Sequence, residues 1–80
     1  MANQNYCAYV AIKTEPKATK EVFRKIGDTK YVKEAHTVTG RFDIIARIEA
    51  DTQKELFSAL LGEIRCYPGV QTTETWTVFE

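Results

Sequence analysis

Apolar positions along the chain fall into four short runs that read as strands and two spaced series that read as helices. Tyr6 to Lys13 is apolar on both alternations, with Ala8, Val10 and Ile12 on one side and Cys7, Tyr9 and Ala11 on the other. A strand with no polar side is expected to be covered on both faces. Thr14-Glu15-Pro16 ends it, and Pro16 suits the first position of a helix, where a missing N–H leaves nothing unsatisfied. Ala18, Val22, Phe23 and Ile26 then recur at helical spacing, with charged residues between them and Gly27 as a stop. The spacing predicts a helix over 16–27. Tyr31 to Thr39 predicts a second, more polar strand. Phe42 to Ala50 predicts a third, with Phe42, Ile44, Ala46 and Ile48 on one face and Asp43, Ile45, Arg47 and Glu49 on the other. Thr52 and Glu55 have the spacing of a capping box. They open a second helix with the apolar stripe Leu56, Phe57, Leu60, Leu61 and Ile64, closed by Cys66-Tyr67-Pro68-Gly69. Val70 to Phe79, rich in β-branched residues, predicts the last strand.

The order β-α-β-β-α-β predicts a ferredoxin-like α+β fold: a four-stranded antiparallel sheet with two helices on one face. The first and third strands are then central, in agreement with their apolar character. Residues 1–5 are polar and are expected to form a disordered N-terminus, followed by a single domain over 6–80. Between the second and third strands, Gly40-Arg41 has the composition of a type II′ turn, with glycine at the position of positive φ. That loop places His36 opposite Ile45 and Glu34 opposite Arg47, an opposite-charge pair that favours the register.

Two helices on one face leave the other face open, and it is not polar. Tyr9, Ala11 and Ile45 project there, with Cys7 and one alternation of the last strand. An apolar patch of this kind predicts a partner, and a second copy packed sheet to sheet, a dimeric α/β barrel, is the simplest.

Charge and cysteine content remove several classes of function. The 80 residues carry eleven basic and eleven acidic side chains, so no basic excess marks a nucleic-acid or membrane surface. There is no apolar run of membrane-spanning length and no signal-peptide pattern. Two cysteines without a CxxC spacing read as inert small apolar residues of a cytoplasmic protein. No phosphate loop, serine motif or metal-ligand cluster is present, and no cofactor is expected. His36, the single histidine, reads as a surface residue.

Two features carry possible chemistry. Around Thr39-Gly40-Arg41-Phe42-Asp43, backbone N–H groups can receive a carboxylate and Asp43 an ammonium group, the two halves of an amino acid. A register-fixing or interface role for Asp43 fits equally well. Thr72-Thr73-Glu74-Thr75 offers hydroxyls, although β-propensity alone explains threonines in a strand.

Val38-Thr39-Gly40-Arg41-Phe42-Asp43-Ile44-Ile45 resembles the V-T-G-x-(Y/F)-D signature of the ligand-binding and assembly (RAM) domain of the Lrp/AsnC transcription regulators. Pro68-Gly69-Val70 with Thr73, Thr75 and Val78 is similar to that family's closing motif. The resemblance implies dimers joined into octamer- or decamer-like oligomers, with an amino acid or related effector held near the glycine turn. By position it assigns Gly40, Arg41, Phe42 and Asp43 to the effector, assisted by Thr73 and Thr75, and Tyr9, Ala11 and Ile45 to the dimer interface. It also implies a stand-alone member without a helix-turn-helix. Such a member would act as a sensor, or as a modulator of full-length relatives, with no sequence-specific DNA binding and no membrane association of its own. Two alternatives share the fold: a small cofactor-free monooxygenase or isomerase of the dimeric barrel type, and a purely structural assembly domain.

Overall fold

Six principal elements follow in the order β1 (Tyr6–Thr14), α1 (Thr19–Gly27), β2 (Val32–Thr37), β3 (Ile44–Ala50), α2 (Gln53–Gly62) and β4 (Val70–Val78). A 3-10 turn, Ile64–Cys66, lies between α2 and β4. The structure, a computed structural model, describes residues 6–79. The N-terminal segment 1–5, expected to be disordered, lies outside the described residues, as does Glu80. All four strands form one antiparallel sheet in the order β2-β3-β1-β4. This is the ferredoxin-like arrangement, with the two most apolar strands in the centre.

Strand alternation builds the core. Ala8, Val10, Ile12, Ile44, Ala46 and Ile48 face the helices and are at most 1% exposed. They pack against Val22 and Ile26 of α1, Leu56, Ala59 and Leu60 of α2, and Ile64 of the 3-10 turn. The capping spacing at α2 is realised: Thr52 Oγ1 accepts the Glu55 N–H at 3.1 Å, which satisfies one of the orphan donors of the first turn.

Both helices are shorter than their periodicity predicts. At α1, Pro16 sits in a turn before the helix, closed by the Ala18 N–H on the Glu15 carbonyl at 2.8 Å. The chain needs this turn to climb from the sheet, because Thr14 is still in β1 and the Glu15 N–H is held by the Gly69 carbonyl at 2.9 Å. Helix α2 stops at Gly62, and the tighter 3-10 turn carries Ile64 into the core. The predicted stripe is only partly buried: Leu56, Ala59 and Leu60 face the sheet, whereas Phe57 and Leu61, one position further round the helix, remain 41% and 55% exposed. Gly69 has a positive φ of 97°, and a Cβ there would lie 2.5 Å from Ala18 Cβ. The connection into β4 can therefore pass close to α1 only at a residue without a side chain.

The hairpin keeps the predicted register, with Glu34 opposite Arg47 and His36 opposite Ile45. Its turn is wider than predicted. The last paired residues are Thr37 and Ile44, and Val38 to Asp43 forms a loop closed by the Val38 N–H on the Asp43 carbonyl at 2.9 Å. Gly40 takes a positive φ of 118° in it.

Candidate functional site

The loop from Val38 to Asp43 leaves the sheet at one end. Gly40 and Arg41 are exposed, and Phe42 is half-buried with the Arg41 guanidinium 5.8 Å above its ring, a separation that suits a cation–π contact. Phe42 thus belongs to the loop rather than to the apolar row of β3. Asp43 is tied inward. Its Oδ2 accepts the Thr14 N–H at 2.8 Å and the Thr14 hydroxyl at 3.2 Å. The backbone bond from Thr14 is the main reason this carboxyl is held below the ordinary aspartate range; the Thr14 hydroxyl and the charge of Lys13 add to it. Carboxylates stay ionised more readily when they accept such bonds.

Thr73 and Thr75 stand elsewhere. They are on the helix side of the edge strand β4 and line a groove of about 460 Å³ with Leu61, Arg65, Val70 and Thr72. Leu61 borders the groove from the flank of α2, outside the Leu56, Ala59 and Leu60 side that packs on the sheet. None of the residues from Gly40 to Asp43 lines this groove. Within one chain, then, the two groups of predicted effector residues are not brought together. Sequence reading missed Arg65. The signal available was a basic residue just past an apolar helix, which by itself does not distinguish a groove from open surface.

The sheet face away from the helices carries the residues predicted for the dimer. Tyr9 sits opposite Trp76 and beside Arg47, and the pair Tyr9 and Trp76 is 42% and 50% exposed. Ile45 is half-buried. Ala11 differs from expectation: it is 0% exposed within the single chain. Its short side chain lies between Ile45 and Glu74 on the flanking strands, so it forms the floor of this face and not its surface. Charged groups border the apolar ones. Glu34 meets His36 Nε2 at 3.0 Å and Arg47 Nε at 3.1 Å, and Arg47 also pairs with Glu49. Hydrogen bonds from His36 and then Arg47 hold the Glu34 carboxyl below its ordinary range.

Other chemistry finds little support in the geometry. The space between sheet and helices is filled by Val10, Ile12, Ile44, Ile48, Leu56 and Leu60, none more than 4% exposed. Among the described residues, no three His, Cys, Asp or Glu side chains are grouped to hold a metal ion, and no helix is long and apolar enough to cross a membrane. Cys7 is half-buried and Cys66 exposed, both free; Cys66 is therefore not the packed apolar residue the sequence suggests.

A family model described as "Lrp/AsnC ligand binding domain" matches residues 7–80. The chain belongs to this family. No curated protein matches it. Among solved structures, this domain is similar to FFRP-DM1, with 32% identity and a TM-score of 0.88 over 92% of this chain and 99% of that one. It is also similar to PHS023 from Pyrococcus horikoshii, with 32% identity and a TM-score of 0.86 over 94% of this chain and 90% of that one. The transcriptional regulator NMB0573 from Neisseria meningitidis, solved as its L-Met complex, shares the fold: 18% identity and a TM-score of 0.82 over 98% of this chain and 52% of that one. This Lrp/AsnC domain therefore spans about half of that regulator.

Proposed function

We infer that this Lrp/AsnC domain is a non-enzymatic module that binds a small effector, an amino acid or a close relative, and assembles with copies of itself in transcription regulation. The observation that carries the reading is the groove on β4. It is lined by three threonines, Thr72, Thr73 and Thr75, by Arg65 and by the apolar side chains of Leu61 and Val70. A guanidinium suits a carboxylate, hydroxyls suit the polar part of an amino acid, and Leu61 offers a wall to an apolar side chain. The L-Met complex of the Neisseria regulator, with the same fold, supports an amino acid as the effector class.

The loop residues Gly40, Arg41 and Phe42 supply a second set of contacts. They lie outside the groove, so a complete site forms where the loop of one subunit meets the groove of another. Pairing through the open sheet face, by Tyr9, Trp76 and Ile45 over the floor of Ala11, gives the dimer. Dimers joined through the β4 edge give an octamer- or decamer-like ring. The domain acts as a sensor, or by co-assembly with full-length regulators of its family. Small enzymes of the dimeric barrel type share the fold, but the interior space they would use is occupied here by core side chains.

The test is a screen of the standard amino acids, one at a time, by thermal shift and native mass spectrometry. An effector at about 100 times its Kd adds about 2.7 kcal/mol, a rise of roughly 10 °C or more for a domain of this size. At least one amino acid raises the melting temperature or changes the assembly size, and Arg65→Ala or Thr75→Val weakens that response. A screen in which none alters either observable rejects the reading.

A further inference from the structure

We propose that Asp43 and Thr14 form a brace that sets the shape of the Val38–Asp43 loop, making Asp43 a positioning residue for effector capture. The brace stands on hydrogen-bond geometry alone; only the link to capture rests on the effector-binding reading above.

Asp43 is held from both sides by main chain and side chain. Its N–H donates to the Ile12 carbonyl at 2.9 Å, and its carbonyl accepts the Val38 N–H at 2.9 Å. Its Oδ2 accepts the Thr14 N–H at 2.8 Å and the Thr14 hydroxyl at 3.2 Å. The register explains why a carboxylate is needed. Ile12 faces Ile44, so a β3 strand continued by two residues would put Phe42 opposite Thr14 and offer a main-chain acceptor there. The chain turns away instead, and the Asp43 carboxylate supplies the acceptor that the strand no longer does. Strand β3 can thus begin only at Ile44 while the Thr14 N–H stays satisfied, and Gly40 to Phe42 are released to project from the sheet.

The brace continues into the helix layer. Thr14 is only 2% exposed, and its Oγ1 lies 2.5 Å from Thr19 Oγ1 at the start of α1. Each hydroxyl has one hydrogen. With the Thr14 hydrogen on Asp43, the Thr19 hydroxyl donates to Thr14 in preference to its more distant acceptor, the Glu15 carbonyl at 3.5 Å. An ammonium group at Asp43 Oδ2 would compete with a main-chain N–H and a nearly buried hydroxyl, and a donor left unpaired in such a place is costly. Oδ1 accepts neither Thr14 bond, so a charge contact there is the outcome that the affinity readout below separates from positioning.

The experiment compares Asp43→Asn, Asp43→Ala and Thr14→Val in the 80-residue chain. Amide hydrogen exchange without ligand is the first readout. Asparagine keeps a neutral acceptor, so Asp43→Asn retains protection of the Thr14 amide, whereas Asp43→Ala exchanges it about tenfold faster or more. Unchanged Thr14 exchange in Asp43→Ala overturns the brace. If Asp43→Ala does not fold, Thr14→Val decides: removal of one bond to Oδ2 speeds exchange of the Val38 and Asp43 amides, the two hydrogen-bonded amides of the loop, and no change there overturns the brace.

The second readout is the affinity of whichever standard amino acid binds the parent chain. Asp43→Asn stays within about threefold of the parent and Asp43→Ala loses about tenfold or more, about 1.4 kcal/mol. Equal loss in both, with the Thr14 amide still protected in Asp43→Asn, shows a charge contact with the effector and overturns the positioning role. A parent chain that binds no amino acid removes the effector reading, and the exchange data still decide the brace.

Discussion

On the helix side of the sheet, Val10, Ile12, Ile44 and Ile48 are at most 1% exposed; on the opposite side Tyr9 and Trp76 keep 42% and 50% of their surface. Both sets come from the same sheet, by alternation along β1, β3 and β4. The helix side is closed by the chain's own α1 and α2 and contains no titratable group in its core cluster. The open side mixes aromatic rings with Glu34, His36, Arg47 and Glu49. One face therefore stabilises the chain by burial, and the other is the apolar face proposed above to pair with a second copy, with charges at its border that would restrict how such a copy docks.

The largest test of this contrast removes a core side chain. Ile12→Ala is expected to cost roughly 2–5 kcal/mol of unfolding free energy, because Ile12 is fully enclosed and its neighbours cannot collapse onto the space. Urea denaturation measures it, and a loss under about 1 kcal/mol would mean that this face is not the main source of stability.

Trp76→Ala tests the other face. The monomer fold should survive, since the ring is half exposed, while self-association weakens by about 2 kcal/mol, the scale of an aromatic hot spot. Sedimentation equilibrium across a concentration series reads it. An unchanged association constant would place the dimer contact elsewhere.

The smallest effect is on pH dependence. Glu34, whose carboxyl is depressed by His36 and Arg47, contributes stability that is complete above its unfolded value of about 4.3 and is lost as pH falls through its lower folded value. Asp43, depressed by Thr14, behaves in the same sense. Unfolding free energy should therefore decline on the acid side, below about pH 5. Glu34→Gln should make that decline shallower, and added salt should reduce the difference, because these groups face solvent. The Ile12→Ala penalty should stay constant over the same range. Urea midpoints at a series of pH values check both, and a Glu34→Gln decline as steep as the parent's would show that the network contributes nothing.

Much of the fold is legible in the residues themselves. The double apolar alternation of Tyr6 to Ile12 marks a central strand, and the Glu34–Arg47 pair marks the hairpin register. The Thr52 and Glu55 spacing marks the start of α2. These signals are local or come from side chains two strands must share, and the periods of helix and strand impose them wherever the rest of the chain lies. The ends of elements are less legible. Pro16 is outside α1 because the path between layers is set by contacts such as Glu15 with Gly69, which are distant in sequence, and Leu61 is outside the core because the sheet covers only the Leu56, Ala59 and Leu60 side of α2.

The functional groups divide along the same line. The glycine turn with Asp43 and the paired threonines of β4 can be picked out by residue type and spacing. Their surroundings depend on which side chains the tertiary structure places within about 3 Å, and hydrogen bonds are decided at that range. Only folding commits the Asp43 carboxylate to Thr14, buries Ala11 beneath its neighbours, and sets Arg65 beside Thr73 and Thr75. The sequence by itself determined the layers, the strand order and the residues with chemistry to offer. The tertiary structure decided which of those residues are already engaged and which face outward.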